Sequence, residues 1–198
     1  GQVPLVADMS SDILSRVIDV SKFGLIFAGA QKNIGPAGVT IVIMRPELAE
    51  RADPNLPTML HYETHIDQGS MFNTPPTFGI YMVALVMEWI AAEGGVPAIQ
   101  RRNEAKAGLL YRAIDDSQLF YCPVEAESRS RMNVVFRVIG DNEELEKQCI
   151  AEATAAGLKT LKGHRSVGGM RASIYNAMPE AGVDALVEFM ADFEKRNG

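Results

Sequence analysis

The sequence predicts an α/β protein: the end of a large domain built on a mostly parallel sheet, followed by a small α/β domain. Three features carry that expectation. Three short apolar runs near the start, each bounded by glycine, proline or a polar cluster, have the length and punctuation of buried strands. A long apolar helix pattern then closes on Gly94-Gly95. Beyond that pair, amphipathic helices alternate with short strands to the end of the chain, the pattern of a compact α/β unit.

Residues 4–7 form an apolar run that ends at Asp8 and a polar cluster with Ser10 and Ser11. Residues 25–28, stopped by Gly29, and 39–44, preceded by Gly35, Pro36 and Gly38, repeat the pattern. All three read as buried strands, and so little helix between them suits the end of a doubly wound domain. A short helix is expected at 46–52, while 54–70 reads as loop, punctuated by Pro54, Pro57 and Gly69. The helix of 76–93 is apolar on nearly every side, which predicts burial all round, with Trp89 in the core.

We place a domain boundary at Gly94-Gly95, dividing the chain into 1–94 and 95–198. In the second part, 97–115 reads as an amphipathic helix with Arg101, Arg102, Glu104 and Lys106 on its charged face. Strands are expected at 120–124, 133–138, 158–161 and 170–175. Asp141 and Asn142 can cap a helix that runs to Ala156 and stops at Gly157. A terminal amphipathic helix is expected over 183–196.

Composition narrows the function classes. With 198 residues, 47% of them hydrophobic, the chain has enough apolar material for a real core. The net charge of −6 offers no basic footprint for nucleic acid. No apolar run reaches the ~18 residues of a membrane span, and no export signal is evident at the start. Cys122 and Cys149 read as reduced thiols, which together with these features predicts a cytoplasmic protein. No metal is expected, since His61 and His65 lack partners at ligand spacing. Nothing has the form of a P-loop or a Ser/His/Asp arrangement.

The segment Gly29-Ala30-Gln31-Lys32-Asn33-Ile34-Gly35-Pro36-Ala37-Gly38 carries the chemistry. A single lysine follows a buried strand inside a loop of small residues. Desolvation of such an amine disfavours its charged form and makes it a better nucleophile towards an aldehyde. Small neighbours leave room for a flat cofactor near the backbone. From this segment alone, a surface lysine in a turn reads equally well. Asp8 adds a carboxylate at the end of the preceding strand. Pyridoxal phosphate (PLP) needs a carboxylate against its pyridine nitrogen and a lysine at its carbonyl carbon, and adjacent strand ends can supply both. The alternative for Asp8 is a turn aspartate before Ser10 and Ser11.

Three blocks resemble the phosphoserine aminotransferase family, class V PLP-dependent aminotransferases of fold type I. The first is Val6-Ala7-Asp8-Met9-Ser10-Ser11 with Ser15-Arg16-Val17-Ile18-Asp19 and the lysine segment above. The second is Gly69-Ser70-Met71-Phe72-Asn73-Thr74-Pro75-Pro76-Thr77. The third is Lys162-Gly163-His164-Arg165 with Gly168-Gly169-Met170-Arg171-Ala172-Ser173-Ile174-Tyr175-Asn176. The resemblance implies that 1–94 is the C-terminal part of a PLP-binding large domain and that 95–198 is the small C-terminal domain.

It also implies roles. Lys32 would hold PLP as a Schiff base, Asp8 would face the pyridine nitrogen, and Gln31 would help hold the cofactor phosphate. Asn73 and Thr74 would reach the cofactor phosphate of the other subunit in a homodimer. His164 and Arg165 would hold the substrate phosphate, and Arg171 the α-carboxylate. The residue types suit these tasks, since a planar guanidinium recognises carboxylates through paired hydrogen bonds. The implied reaction links O-phospho-L-serine and 2-oxoglutarate with 3-phosphohydroxypyruvate and L-glutamate, in serine biosynthesis and, for bacterial members, pyridoxine biosynthesis.

Two departures stand out. The chain begins at a point inside the family's large domain, so we expect a fragment or one piece of a longer enzyme. Val17 stands where the family usually has proline. Other readings are an inactive fragment, a non-catalytic C-terminal module, or another class V enzyme such as a cysteine desulfurase or an alanine–glyoxylate aminotransferase. Gln31 speaks against a desulfurase, which places a histidine beside the lysine.

Overall fold

The computed structural model describes residues 3–165 and 167–198. The chain divides into two compact units, Gly1–Val96 and Pro97–Gly198, and each is described by itself. Its α/β character is as the sequence predicts, with a three-stranded sheet and helices in each unit.

In the first unit β1 (Val6–Asp8), β2 (Leu25–Gly29) and β3 (Thr40–Met44) lie in the order β1-β2-β3. β1 runs parallel to β2 with Asp8 opposite Phe27, so Asp8 stands at the carboxyl end of its strand beside the end of β2. The third strand departs from the parallel expectation, since β3 is antiparallel to β2. The linker between them contains no helix, and a parallel return needs a crossover of about a dozen residues or more. The Ala30 amide instead bonds to the Val39 carbonyl at 2.9 Å and closes a hairpin-like loop.

Burial also departs from the sequence expectation. Central β2 is buried through Ile26 and Ala28, but Val6, Val42 and Ile43 on the flanking strands are exposed, as is Leu5 just before β1. Residues 46–52 give the short helix α1 (Pro46–Ala49), with proline in the first turn where it is tolerated. The expected loop of 54–70 contains a 3-10 turn, Thr58–Leu60, and a six-residue helix, α2 (Tyr62–Asp67). So short a helix shows no apolar period. Ring nitrogens of His61 and His65 contact the carbonyls of Leu56 and Met59 at 3.0 and 3.1 Å, which ties the segment together.

α3 (Thr77–Ala92) packs Val83 and Met87 on a core of Met9, Ile13, Ile26, Ala28, Ala30 and Ile34. It is not buried all round. Phe78 is 74% exposed, Ile80, Tyr81 and Leu85 also face solvent, and Trp89 is only half-buried. One side of the helix meets this unit's core, and the chain covers the other side incompletely.

The second unit contains α4 (Gly95–Asp115) from Pro97 onward, β4 (Phe120–Tyr121), β5 (Asn133–Val138), α5 (Glu143–Ala155), β6 (Met170–Ser173) and α6 (Glu180–Asn197). Its sheet is antiparallel in the order β4-β5-β6. Alternate β5 residues Val134, Phe136 and Val138 point into a core with Leu110, Ile114, Phe120, Met190 and Phe193. Phe120 meets Phe136 edge to face, with ring centroids 5.8 Å apart. Asn142 caps α5 by accepting the Leu145 amide. Both cysteines are free thiols.

Two expectations fail in this unit. No strand forms at the expected 158–161, and the nearest pairing is a single bridge, Lys162 to Met170, before a tight loop. Lys106 is not on a solvent face. It is 1% exposed, and its Nζ donates to the carbonyls of Ile174, Tyr175 and Met178 at 3.1, 2.9 and 2.9 Å.

Candidate active site

In the first unit Asp8, Gln31 and Lys32 sit where two turns leave adjacent strand ends. After β1 the chain turns at once, and the Met9 carbonyl accepts the amides of Asp12 and Ile13. After β2 it enters the Ala30–Gly35 turn, where the amides of Ile34 and Gly35 return to the Ala30 carbonyl. Side chains cross-tie the turns. Ser10 Oγ accepts the Gly29 amide at 3.0 Å. Buried Asn33 donates to the Ile13 carbonyl at 3.1 Å and to that of Ser11 at 3.4 Å. The left-handed backbone at Leu14, with φ 57°, follows directly on this clamp.

Asp8 is exposed at the strand end, and Oδ1 accepts both the backbone amide and the hydroxyl of Ser10, at 2.9 and 2.6 Å. The Ser10 hydroxyl bond, then the Ser10 amide bond, then the charge of Lys32 hold the Asp8 carboxyl below its ordinary value. Asp8 is therefore ionised at neutral pH, and Lys32 is near enough to favour that state. The turn reading of Asp8 holds, since it accepts both Ser10 bonds, and the charge of Lys32 acts on the same carboxylate. Oδ2 receives neither Ser10 bond.

Lys32 is exposed, and so is Gln31, whose side-chain amide folds back over Gly29. The desolvation invoked for Lys32 from sequence is thus not supplied by this chain's own atoms. The turn anchors Ala30 and Ile34 in the apolar core, while Gln31 and Lys32 point away from it. Asn73 and Thr74 are exposed in the segment before α3, where Asn73 Nδ2 donates to the Thr74 carbonyl at 3.1 Å. Among the described residues they share no hydrogen bond with Asp8, Gln31 or Lys32.

In the second unit His164, Arg165 and Arg171 belong to one hairpin-like segment. Its base is the Arg171 amide bonded to the Leu161 carbonyl at 2.7 Å, followed by Gly163 bonded to the Gly169 carbonyl at 2.9 Å. His164 and Arg165 are exposed near the tip, and Ser166 lies outside the described residues. Gly163 permits this closeness, because a Cβ there would lie 2.0 Å from the Gly168 carbonyl oxygen. Arg171 is half-buried on β6, and its buried Nε has no hydrogen-bond partner among the described residues. A buried guanidinium donor without an acceptor is costly, so this is a position where an anionic ligand fits.

Sequence reasoning missed Ser10, Asn33 and Lys106 as organising residues. The Asp-x-Ser spacing signals a local turn bond, but nothing in it announces the bond to Gly29, nineteen residues away. Among the described residues, no group of three or more His, Cys, Asp or Glu could hold a metal, and no single helix is long and apolar enough to cross a membrane.

A family model described as aminotransferase class-V matches residues 2–186. The chain is 64% identical over 197 residues to the phosphoserine aminotransferase of Laribacter hongkongensis (strain HLHK9), covering 99% of this chain and 54% of that protein. It thus spans about half the length of the curated relatives it matches, 54% in the first two. Superposition on phosphoserine aminotransferase from Bacillus circulans subsp. alkalophilus gives a TM-score of 0.95 at 52% identity, covering 100% of this chain and 55% of that one. The PLP-bound phosphoserine aminotransferase from Trichomonas vaginalis gives 0.90 at 42% identity, covering 95% and 53%. With the family model matching nearly its whole length, this chain belongs to the aminotransferase class-V family.

Proposed function

We propose that this chain is part of a PLP-dependent aminotransferase linking O-phospho-L-serine and 2-oxoglutarate with 3-phosphohydroxypyruvate and L-glutamate. The observation that carries the reading is the placement of Asp8 and Lys32 at the ends of neighbouring strands, where the charge of Lys32 adds to the Ser10 bonds that lower the Asp8 carboxyl. That donor set fits the cofactor, offering a carboxylate for a protonated ring nitrogen and an amine for an aldehyde. The resemblance to phosphoserine aminotransferases along the whole chain supports the substrate class. The same resemblance supports a role in serine biosynthesis, use of a pyridoxine-pathway substrate, a homodimer and a cytoplasmic location.

In this reading 1–94 contributes to the PLP-binding large domain and 95–198 is the small domain. When bound, the cofactor supplies an electron sink for the bonds at the substrate α-carbon. Asp8 would keep a negative charge at the ring nitrogen, and Gln31 would donate to the cofactor phosphate. Asn73 and Thr74 would donate to the cofactor phosphate of a second subunit. Lys32 Nζ would take the proton from the substrate α-carbon as general base and give it up, as general acid, at the cofactor's C4′ and not back at the α-carbon. Arg171 would clamp the α-carboxylate through its guanidinium, while His164 and Arg165 would hold the substrate phosphate.

The test is to mix the chain with PLP, reduce with borohydride and map the adduct by peptide mass. An adduct confined to Lys32, absent in Lys32→Ala, is expected. Labelling scattered over the exposed lysines would remove Lys32 from its assigned role.

A further inference from the structure

Ser10 Oγ has one proton to donate and lone pairs to accept with, and both capacities are used. The proton goes to Asp8 Oδ1 at 2.6 Å, and a lone pair takes the Gly29 amide at 3.0 Å. The second bond has a topological origin. The parallel ladder of β1 and β2 reaches the Met9 amide, bonded to the Phe27 carbonyl at 2.8 Å. One residue further, the chain has turned away. The Met9 carbonyl is taken by Asp12 and Ile13, and the Ser10 hydroxyl becomes an acceptor for the Gly29 amide. A side chain thus bonds where the parallel ladder ends.

The same hydroxyl anchors Asp8 to the end of β2, three residues before Lys32. We propose that Ser10 is a positioning residue, whose hydroxyl locks the Asp8 carboxylate to the Gly29 amide and leaves Oδ2 for a cationic ring nitrogen. The inference rests on the cofactor reading above and deepens it. Without the hydroxyl, Asp8 keeps only the local bond to the Ser10 amide, and its carboxylate is free to rotate away from the strand end. The Gly29 amide would lose its acceptor at the same time. As a neutral donor, Ser10 orients the carboxylate without neutralising it, so Asp8 keeps its full charge for the ring.

The first measurement needs no cofactor. In a carboxyl 13C NMR titration of the chain, Ser10→Ala should move the Asp8 midpoint upward, and Ser10→Thr, which keeps the hydroxyl, should hold it near the original. The second is the dissociation constant for PLP by absorbance titration. It should rise about tenfold in Ser10→Ala, the effect of losing one hydrogen bond to a charged group, and stay close to the parent value in Ser10→Thr. An unmoved Asp8 midpoint in Ser10→Ala, or a threonine variant as impaired as the alanine one, would overturn the proposal. If the parent chain took up no PLP at Lys32, the cofactor reading would fail by itself. The NMR midpoint would still decide whether Ser10 controls Asp8.

Discussion

The side-chain amide of Asn33 lies 3.1 Å from the carbonyl oxygen of Ile13, twenty residues earlier, and holds together the two turns that carry Asp8 and Lys32. Asn33 is 6% exposed, so its donors do not compete with bulk water. Asn33→Ala is expected to lower the unfolding free energy by about 2 kcal/mol, the cost of stranding buried carbonyls. Asn33→Asp should be worse than alanine, because it sets a carboxylate oxygen against carbonyls. Urea denaturation of the three proteins checks the ranking.

Lys106 gives a pH signature. Burial pushes its ammonium down to about 8 from an ordinary value of 10.5, with the nearby Arg102 charge adding to the shift and Glu180 opposing it. Between those two pH values the unfolded chain holds more protons than the folded chain, so this group's contribution to stability rises with pH. Replacement by methionine removes the titration. The difference in unfolding free energy, parent minus Lys106→Met, should therefore grow from pH 7.5 to pH 10. A flat difference would mean that the buried amine does not titrate in that window.

Glu146 on α5 is 5% exposed, and its Oε1 accepts Arg137 Nε at 3.0 Å and the Val138 amide at 3.3 Å. The bond to Glu146 raises the Arg137 guanidinium further above its ordinary value. Glu146→Ala leaves a strand amide without this acceptor and Arg137 with Asp141 as its remaining carboxylate, and should cost about 2 kcal/mol. Glu146→Gln keeps an acceptor and should cost clearly less. Thermal unfolding monitored by circular dichroism resolves the two.

Gly29→Ala separates stability from binding. A Cβ there would stand 2.5 Å from Gln31 Oε1, the end of a flexible exposed side chain that can swing aside. Stability should change by less than about 1 kcal/mol, as at other sites where the neighbour yields cheaply. PLP affinity should fall severalfold, because Gln31 is driven from its place over the strand end. Equal affinity in the variant would mean that Gln31 does not contact the cofactor.

Much of the fold was legible because its signals are local. β2, β5 and α5 follow their patterns closely, since central strands and capped helices obey rules of alternation and capping that act over a few residues. The expected strand at 158–161 failed where the loop around Gly163 overrode a short apolar run. The burial of α3 failed because apolar composition states what a helix needs, while the exposure of Phe78 and Tyr81 reports what this chain places against it.

The sequence by itself determined the α/β class and the family motifs, and it singled out Asp8, Lys32 and Arg171 as candidates, because residue type and order are enough to mark them. Tertiary structure alone decided that β3 runs antiparallel to β2, that Lys106 is buried against three carbonyls, and that Ser10 and Asn33 tie the Asp8 and Lys32 turns together. Each depends on a hydrogen bond between groups far apart in the chain. Such bonds exist only when folding brings donor and acceptor to about 3 Å with water excluded or displaced, and no local pattern encodes that meeting.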